Sequence, residues 1–158
     1  MDEHATSGGD DPFGEHGPAP DPLDAHLDLD HAGVARLRAA VDLLDAGDVA
    51  GSVEAALQAR AHGVPAELVP YLAIVDGVAA VLAGDAPRAE VVLGDAWRAH
   101  PDVAALPAAL GAARLLAGDA TSAAHSMYAA LVSDDPDRSL AVHRRRLTML
   151  LGALRRDA

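Results

Sequence analysis

The sequence predicts an all-helical protein, and three observations support this prediction. From residue 32 onward, apolar residues recur every three or four positions, which is the spacing of one face of an α-helix. Runs of β-branched residues, which favour strands, are short. Gly or Pro interrupts the pattern at Gly47, Gly63, Gly84, Pro101, Gly118 and Pro136. These breaks predict helices over residues 32–46, 49–62, 66–83, 86–99, 103–117, 120–133 and 137–156.

The composition limits both the core and the chemistry. The 158 residues fit one domain; 51% of them are hydrophobic but only 3% are aromatic, so the core must consist mainly of Ala, Leu and Val. The chain has no Cys, Lys or Asn. Disulfides, thiol nucleophiles, Schiff-base lysines and P-loop phosphate binding are therefore excluded. A formal charge of −12 argues against general binding to nucleic acid or to an anionic membrane.

The first 31 residues form a predicted acidic tail. They hold nine of the 24 acidic residues, no Arg and few large apolar residues. Such a segment cannot bury enough surface to offset its loss of chain entropy, so we expect residues 1–31 to be disordered and residues 32–158 to form the folded domain. The tail lacks the basic start and apolar stretch of a secretory signal, and no apolar run reaches the ~20 residues that cross a bilayer. We therefore expect a cytoplasmic protein.

Three similar turns divide the helical region. Residues Ala46–Asp48, Ala83–Asp85 and Ala117–Asp119 all have the sequence Ala-Gly-Asp. Gly adopts the left-handed conformation that closes a helix, and the Asp that follows can cap the amides of the next helix. Each turn therefore predicts a helical hairpin. Successive turn glycines are 37 and 34 residues apart, and a helix–turn–helix unit of about 34 residues is typical of a repeat array.

Over about residues 33–136 the chain resembles the tetratricopeptide repeat family. Small or apolar residues lie at matching distances from each turn, and Gly77 and Gly111 lie where the first helix of a unit packs closely on the second. The matching residues are Ala40, Ser52, Ala56 and Ala59, then Gly77, Ala89, Leu93, Ala96 and Pro101, then Gly111, Ala123, Met127, Ala130 and Pro136. The bulky aromatic residues of the family are missing, so these repeats are degenerate. The resemblance implies an α-solenoid of three hairpins with a C-terminal capping helix.

The resemblance also implies a surface that binds a partner protein. In such arrays the first helices of successive hairpins line a concave groove, which here is mainly apolar and suits a hydrophobic or amphipathic segment. The positions are Val34, Leu37, Val41, Leu44, Tyr71, Ile74, Val78, Val81, Ala105, Ala108, Ala112 and Leu115. A clamp for a C-terminal carboxylate would need the Lys and Asn that the chain lacks. The alternative is that this face is core or is covered by the acidic tail.

The last predicted helix carries half of the Arg residues and no acid between its first and last Arg. These residues are Arg138, Arg144, Arg145, Arg146, Arg155 and Arg156. Leucines on the other side of the helix are predicted to dock it on the hairpins. Three interpretations remain open for the basic face: a solvated cap, a dock for the acidic tail, or a site for an acidic protein or nucleic acid.

Catalytic and metal-binding candidates are weak. His26 and His31 lie among aspartates in the tail, where a metal site would lack fixed geometry. Ser122 lies one helical turn before His125, but no acid is placed to orient the imidazole. We therefore expect no catalytic residue, metal or cofactor. The predicted function is a non-catalytic adaptor, or a chaperone that resembles those shielding hydrophobic translocator segments in secretion; the alternative is a regulatory helical domain that acts through its basic face.

Overall fold

The structure is a computed structural model that describes residues 21–26, 30–134 and 138–157. Every regular element within these residues is a helix, which confirms the predicted all-helical fold. Two short 3-10 helices, Pro22–His26 and Ala66–Leu68, accompany the α-helices. The α-helices are α1 (Ala32–Asp45), α2 (Val49–His62), α3 (Val69–Leu82), α4 (Ala86–Ala99), α5 (Ala105–Leu116), α6 (Ala120–Val132), α7 (Ser139–Val142) and α8 (Arg144–Asp157).

The three Ala-Gly-Asp turns share one backbone geometry. The glycine of each turn has φ between 82° and 85°, in the left-handed region that a Cβ atom disfavours. The aspartate that follows accepts a hydrogen bond from the backbone amide three residues later and so caps the next helix. The pairs are Asp48 with Gly51, Asp85 with Arg88, and Asp119 with Ser122, at 2.9, 3.1 and 3.0 Å. Hydrogen bonds from Ser122 lower the pKa of Asp119.

Each turn joins two helices that pack against each other, and consecutive hairpins also pack together. The hairpins are α1–α2, α3–α4 and α5–α6, joined through contacts of α2 with α3 and of α4 with α5. A Cβ atom on Gly77 would lie 2.5 Å from the Leu93 side chain, and one on Gly111 would lie 2.7 Å from Met127. This finding confirms the close helix packing that was predicted at both glycines.

The C-terminal helix completes the core. Helix α8 packs on α3 and α5, where Leu150 is fully buried and Leu147 and Leu154 are partly buried. Helix α3 contacts α1, α2, α4, α5 and α8, and every residue from Pro70 to Val81 is buried. Helix α3 is therefore buried on all sides, as expected for a central helix rather than an amphipathic surface helix.

The C-terminal region contains two helices where the sequence predicted a single one over residues 137–156. Helices α7 and α8 meet at His143, whose φ of −94° and ψ of 9° depart from regular helical geometry. The Ser139 hydroxyl accepts a hydrogen bond of 3.0 Å from the Ala105 amide, which fixes α7 to the start of α5. At the break, the His143 ring lies against Tyr71, with 4.6 Å between the ring centroids.

The predicted disordered tail includes a short ordered helix. Residues Pro22–His26 form a 3-10 helix in which Leu23 is buried, and the Arg38 side chain donates a hydrogen bond of 3.3 Å to the Leu23 carbonyl. This segment differs from the prediction because Leu23 packs against α1, which gives an apolar contact to an otherwise acidic stretch. The rest of the tail up to residue 20, and residues 27–29, lie outside the described residues.

Candidate functional site

Most of the twelve predicted partner-binding positions are buried. Ala108 is half-buried and Leu115 is exposed, whereas the other ten side chains lie in the core. The core contains Val34, Leu37 and Leu44 of α1 and Ile74 and Val78 of α3. Helical spacing cannot distinguish a groove from a core, because both need apolar residues on one face. Apart from Ala112, a partner could reach these side chains only if the surrounding helices rearranged.

An open apolar groove lies at the C-terminal end of the fold. It has a volume of about 360 Å³ and is lined by residues of four helices. Ala108 and Ala112 of α5 form its floor, so two of the twelve predicted positions line it. Met127, Ala130 and Leu131 line it from α6, Leu140 from α7, and Leu147, Leu150 and Leu151 from α8. All nine side chains are apolar.

The groove is bordered by exposed apolar side chains. Leu131 is 82% exposed and Leu151 is 53% exposed, on the α6 and α8 walls respectively. Tyr128 and Val132, at 65% and 60%, extend the same surface over the outer side of α6. A single exposed apolar residue is ordinary on a protein surface, but a contiguous patch beside an apolar groove is typical of a binding site.

The hairpin spacing explains why this surface is apolar. Leu131 follows Trp97 by 34 residues, the distance between the turn glycines Gly84 and Gly118. Trp97 packs partly against the core and lines a cleft between α4 and α5 with Leu110. Leu131 therefore occupies the corresponding position of α6. Helices α7 and α8 do not cover this position, and so Leu131 remains exposed.

The predicted basic face is divided by the fold. Arg138, Arg144 and Arg155 are exposed, whereas Arg145 forms a salt bridge of 3.1 Å with Asp45 of α1. Arg146 is buried. The side chain of Arg156 lies outside the described residues. The consecutive residues 144–146 therefore do not present three free cations on one surface.

Arg146 belongs to a buried polar cluster that joins the two ends of the chain. Its guanidinium carbon lies 4.9 Å from the centroid of the Tyr71 ring, and its Nη1 lies 3.2 Å from Nδ1 of His143. The Tyr71 hydroxyl donates a hydrogen bond of 2.8 Å to Oδ2 of Asp21. Asp21 precedes the first ordered helix, whereas His143 and Arg146 lie near the C-terminus.

Burial controls the protonation of two members of this cluster. It lowers the pKa of His143 to about 3, and the positive charge of Arg146 acts in the same direction. Burial also raises the pKa of Tyr71 above its usual value; the carboxylate of Asp21 adds to the rise, and Arg146 opposes it. At neutral pH the cluster therefore contains a neutral imidazole, a neutral phenol and a buried guanidinium.

A second buried ionic group was missed in the sequence. Asp76 lies in the middle of α3 and is 1% exposed. Its Oδ2 accepts a hydrogen bond of 2.8 Å from Arg60 of α2, and its Oδ1 accepts one from Arg88 of α4. The sequence did contain a signal for this group. A lone acid within the apolar run of α3 is costly to bury unless it is paired, so Asp76 predicts a basic partner. The two Arg partners could not be identified without the helix packing.

Several residues at the candidate catalytic and metal positions have structural hydrogen bonds. Nδ1 of His31 accepts a hydrogen bond of 3.1 Å from the amide of Gly33 and so caps α1. Ser126, beside His125, accepts a hydrogen bond of 2.8 Å from Arg114 and donates one to the Ser122 carbonyl. Within residues 21–26, 30–134 and 138–157, no three His, Cys, Asp or Glu side chains are grouped as metal ligands.

The fold and the site define an all-helical protein with an open apolar groove. No family model matches the chain, and neither a curated protein nor a solved structure is significantly similar to it. The resemblance to tetratricopeptide repeats therefore stays a prediction from the sequence. Among the described helices, none combines the length and the apolar character needed to cross a membrane.

Proposed function

We propose that this chain is a non-catalytic protein-binding module that holds an amphipathic helix of another protein in the groove between α6 and α8. The observation that supports this proposal best is the continuous apolar lining of the groove together with the exposure of Leu131 and Leu151 at its edges. We also propose that the three hairpins form a degenerate repeat array, with its last hairpin open to the partner, and that the protein acts in the cytoplasm.

The shape of the groove favours a helix as the occupant. Ala108 and Ala112 are one helical turn apart on α5, and their small side chains allow another backbone to approach closely. Leu131 and Leu151 extend from the two walls and can interdigitate with the side chains of a helix between them. Helix-in-groove binding uses apolar residues at spacings of three and four, which would match such walls.

The charges beside the groove favour acidic residues on the partner. Leu151 follows Arg144 by seven positions and precedes Arg155 by four, so the three residues lie on one face of α8. Both Arg side chains are exposed. A helix with an apolar stripe and acidic flanks would therefore bury its stripe and place its carboxylates near two cations.

The proposal is tested with a designed peptide. A fluorescein-labelled amphipathic helix with a Leu stripe and Glu flanks is titrated with the full chain, and its Kd is measured by fluorescence anisotropy. We expect saturable binding that Leu131→Asp weakens at least about tenfold, because the change places a carboxylate in the apolar contact.

The matched control is Leu57→Asp on α2. Leu57 is 48% exposed, so this variant makes the same chemical change on a surface away from the groove. Its Kd should equal that of the wild type, and thermal melting by circular dichroism should show that both variants are folded. Failure of the peptide to bind, or equal binding by wild type and Leu131→Asp, would refute the proposed function.

A further inference from the structure

The N-terminal segment is attached to the fold beside the groove. Asp21 accepts the hydrogen bond from Tyr71, and the buried side chain of Leu23 packs into the core. Arg38 of α1 holds the backbone of the same segment through the Leu23 carbonyl. Asp21, which follows residues 1–20 in the sequence, is therefore held at Tyr71.

This attachment point is close to α7, which also borders the groove. Pro22, Tyr71, Val142 and His143 line one small cavity of about 90 Å³. Leu140, two residues before Val142 on α7, lines the apolar groove. The segment that ends at Asp21 thus begins within a few residues' length of the groove.

Residues 1–20 have the chemistry that we propose for a partner of the groove. They contain five acidic residues, no Arg and one aromatic residue, Phe13. Acidic residues lie on both sides of Phe13 in the sequence: Asp10 and Asp11 precede it and Glu15 follows it. Phe13 lies eight positions before Asp21, and an extended chain over that distance spans up to about 26 Å.

We infer that residues 1–20 are an intramolecular occupant of the groove, with Phe13 in the apolar cleft between α6 and α8 and the flanking carboxylates near Arg144 and Arg155. This inference rests on the proposed function, because it assigns the same groove to a competitor within the chain. Partner binding would then displace the segment. A tethered segment competes at a high effective concentration even when its own affinity is weak.

The inference is tested by paramagnetic relaxation enhancement in the full chain. The protein has no Cys, so Thr148→Cys accepts a single nitroxide label at an exposed position of α8, three residues before Leu151 and outside the groove lining. We expect strong broadening of the amide signals of residues 10–16. The broadening should decrease severalfold in a second variant that adds Phe13→Ser, and also in 0.5 M NaCl, because salt screens the exposed charges.

Two controls test whether the broadening is specific to the groove and whether it arises within one chain. A label at Leu57→Cys on α2 should leave the signals of residues 10–16 unchanged. A mixture of ¹⁵N-labelled protein without nitroxide and unlabelled protein with nitroxide detects contact between copies. Broadening in that mixture as strong as in the singly labelled protein would assign the groove to a second copy and overturn the inference.

Binding of the designed peptide distinguishes a failure of this inference from a failure of the proposed function. If residues 1–20 occupy the groove, Phe13→Ser should lower the peptide Kd at least about threefold relative to the wild type, and replacement of Asp10, Asp11 and Glu15 by their amides should act in the same direction. If these variants bound the peptide as the wild type does, and the signals of residues 10–16 were not broadened, residues 1–20 would not be the occupant. The groove would still be the binding site for the peptide. Loss of peptide binding in every variant would refute the groove itself.

Discussion

The side chain of Leu93 occupies the space into which a Cβ atom on Gly77 would extend. The Leu93 Cγ atom would lie 2.5 Å from that Cβ, below any ordinary carbon–carbon contact. Helices α3 and α4 therefore approach each other at a point where α3 has no side chain. The same relationship joins Gly111 and Met127 one hairpin later, where the shortest distance would be 2.7 Å.

Gly77→Ala is expected to destabilise the protein by about 1–3 kcal/mol, because the new methyl group overpacks the core. Gly94→Ala is the matched control on the neighbouring helix, since a Cβ atom there would meet nothing within 4 Å. It should stabilise the protein by about 0.5–1 kcal/mol through helix propensity. Urea unfolding measures both changes; equal effects of the two variants would contradict the close packing at Gly77.

Asp76→Asn is expected to lower the free energy of unfolding by about 3 kcal/mol. The amide keeps the size of the side chain but removes the charge that Arg60 and Arg88 share within the core. Arg60→Gln should cost only about 1 kcal/mol, because Arg60 is half exposed and solvent screens its pairing. Chemical unfolding of the two variants tests this order, and a larger loss for Arg60→Gln would contradict it.

Stability should fall in mild acid because of His143. Its pKa is about 3 in the folded protein, against an ordinary value of 6.5, so the unfolded chain binds one more proton between these pH values. The contribution of His143 to stability is therefore present above pH 6.5 and decreases as the pH falls towards 3, by about 2 kcal/mol at pH 5.

His143→Phe removes this titration and provides the comparison. The difference in unfolding free energy between pH 7 and pH 5 should be about 2 kcal/mol smaller in the variant than in the wild type. Urea unfolding at the two pH values measures this difference. The same pH dependence in both proteins would show that folding does not lower the pKa of His143.

Ser139→Ala is expected to cost about 1–2 kcal/mol of stability. The Ser139 hydroxyl accepts a hydrogen bond from the Ala105 amide at the start of α5, and the buried amide would lose this partner. Thr121→Ala removes an exposed hydroxyl near the start of α6 and should change stability by less than about 0.5 kcal/mol. Thermal unfolding compares them, and hydrogen exchange at Ala105 should accelerate in Ser139→Ala alone.

The local structure of this chain could be predicted because it depends on local chemistry. A glycine in the left-handed conformation and a capping aspartate define each hairpin turn through atoms within a few residues of each other. The positions of Gly77 and Gly111 could also be predicted, since close helix contacts recur at a fixed distance from the turns. The helix ends agree with the prediction to within three residues except around residues 137–144.

The sequence could not predict which apolar helix faces form the core and which form an open groove, because this depends on where the last helix lies. Ile74 and Val78 have the same spacing whether they face a partner or the core of the protein. The polar pairs of Asp76 and Tyr71 join residues that are 12 to 50 positions apart, and no local signal identifies such partners. The open groove depends on α8 as well, since Leu147, Leu150 and Leu151 form one of its walls.

The position of α8 also has a consequence for synthesis on the ribosome. Helices α3 and α5 are complete before the residues of α8 have been translated, since α8 begins at Arg144, 28 positions after the end of α5 at Leu116. The emerging polypeptide thus exposes apolar surface of α3 and α5 until α8 has been synthesised and can pack on them. Nascent chains that stop before residue 144 are therefore expected to keep this apolar surface uncovered.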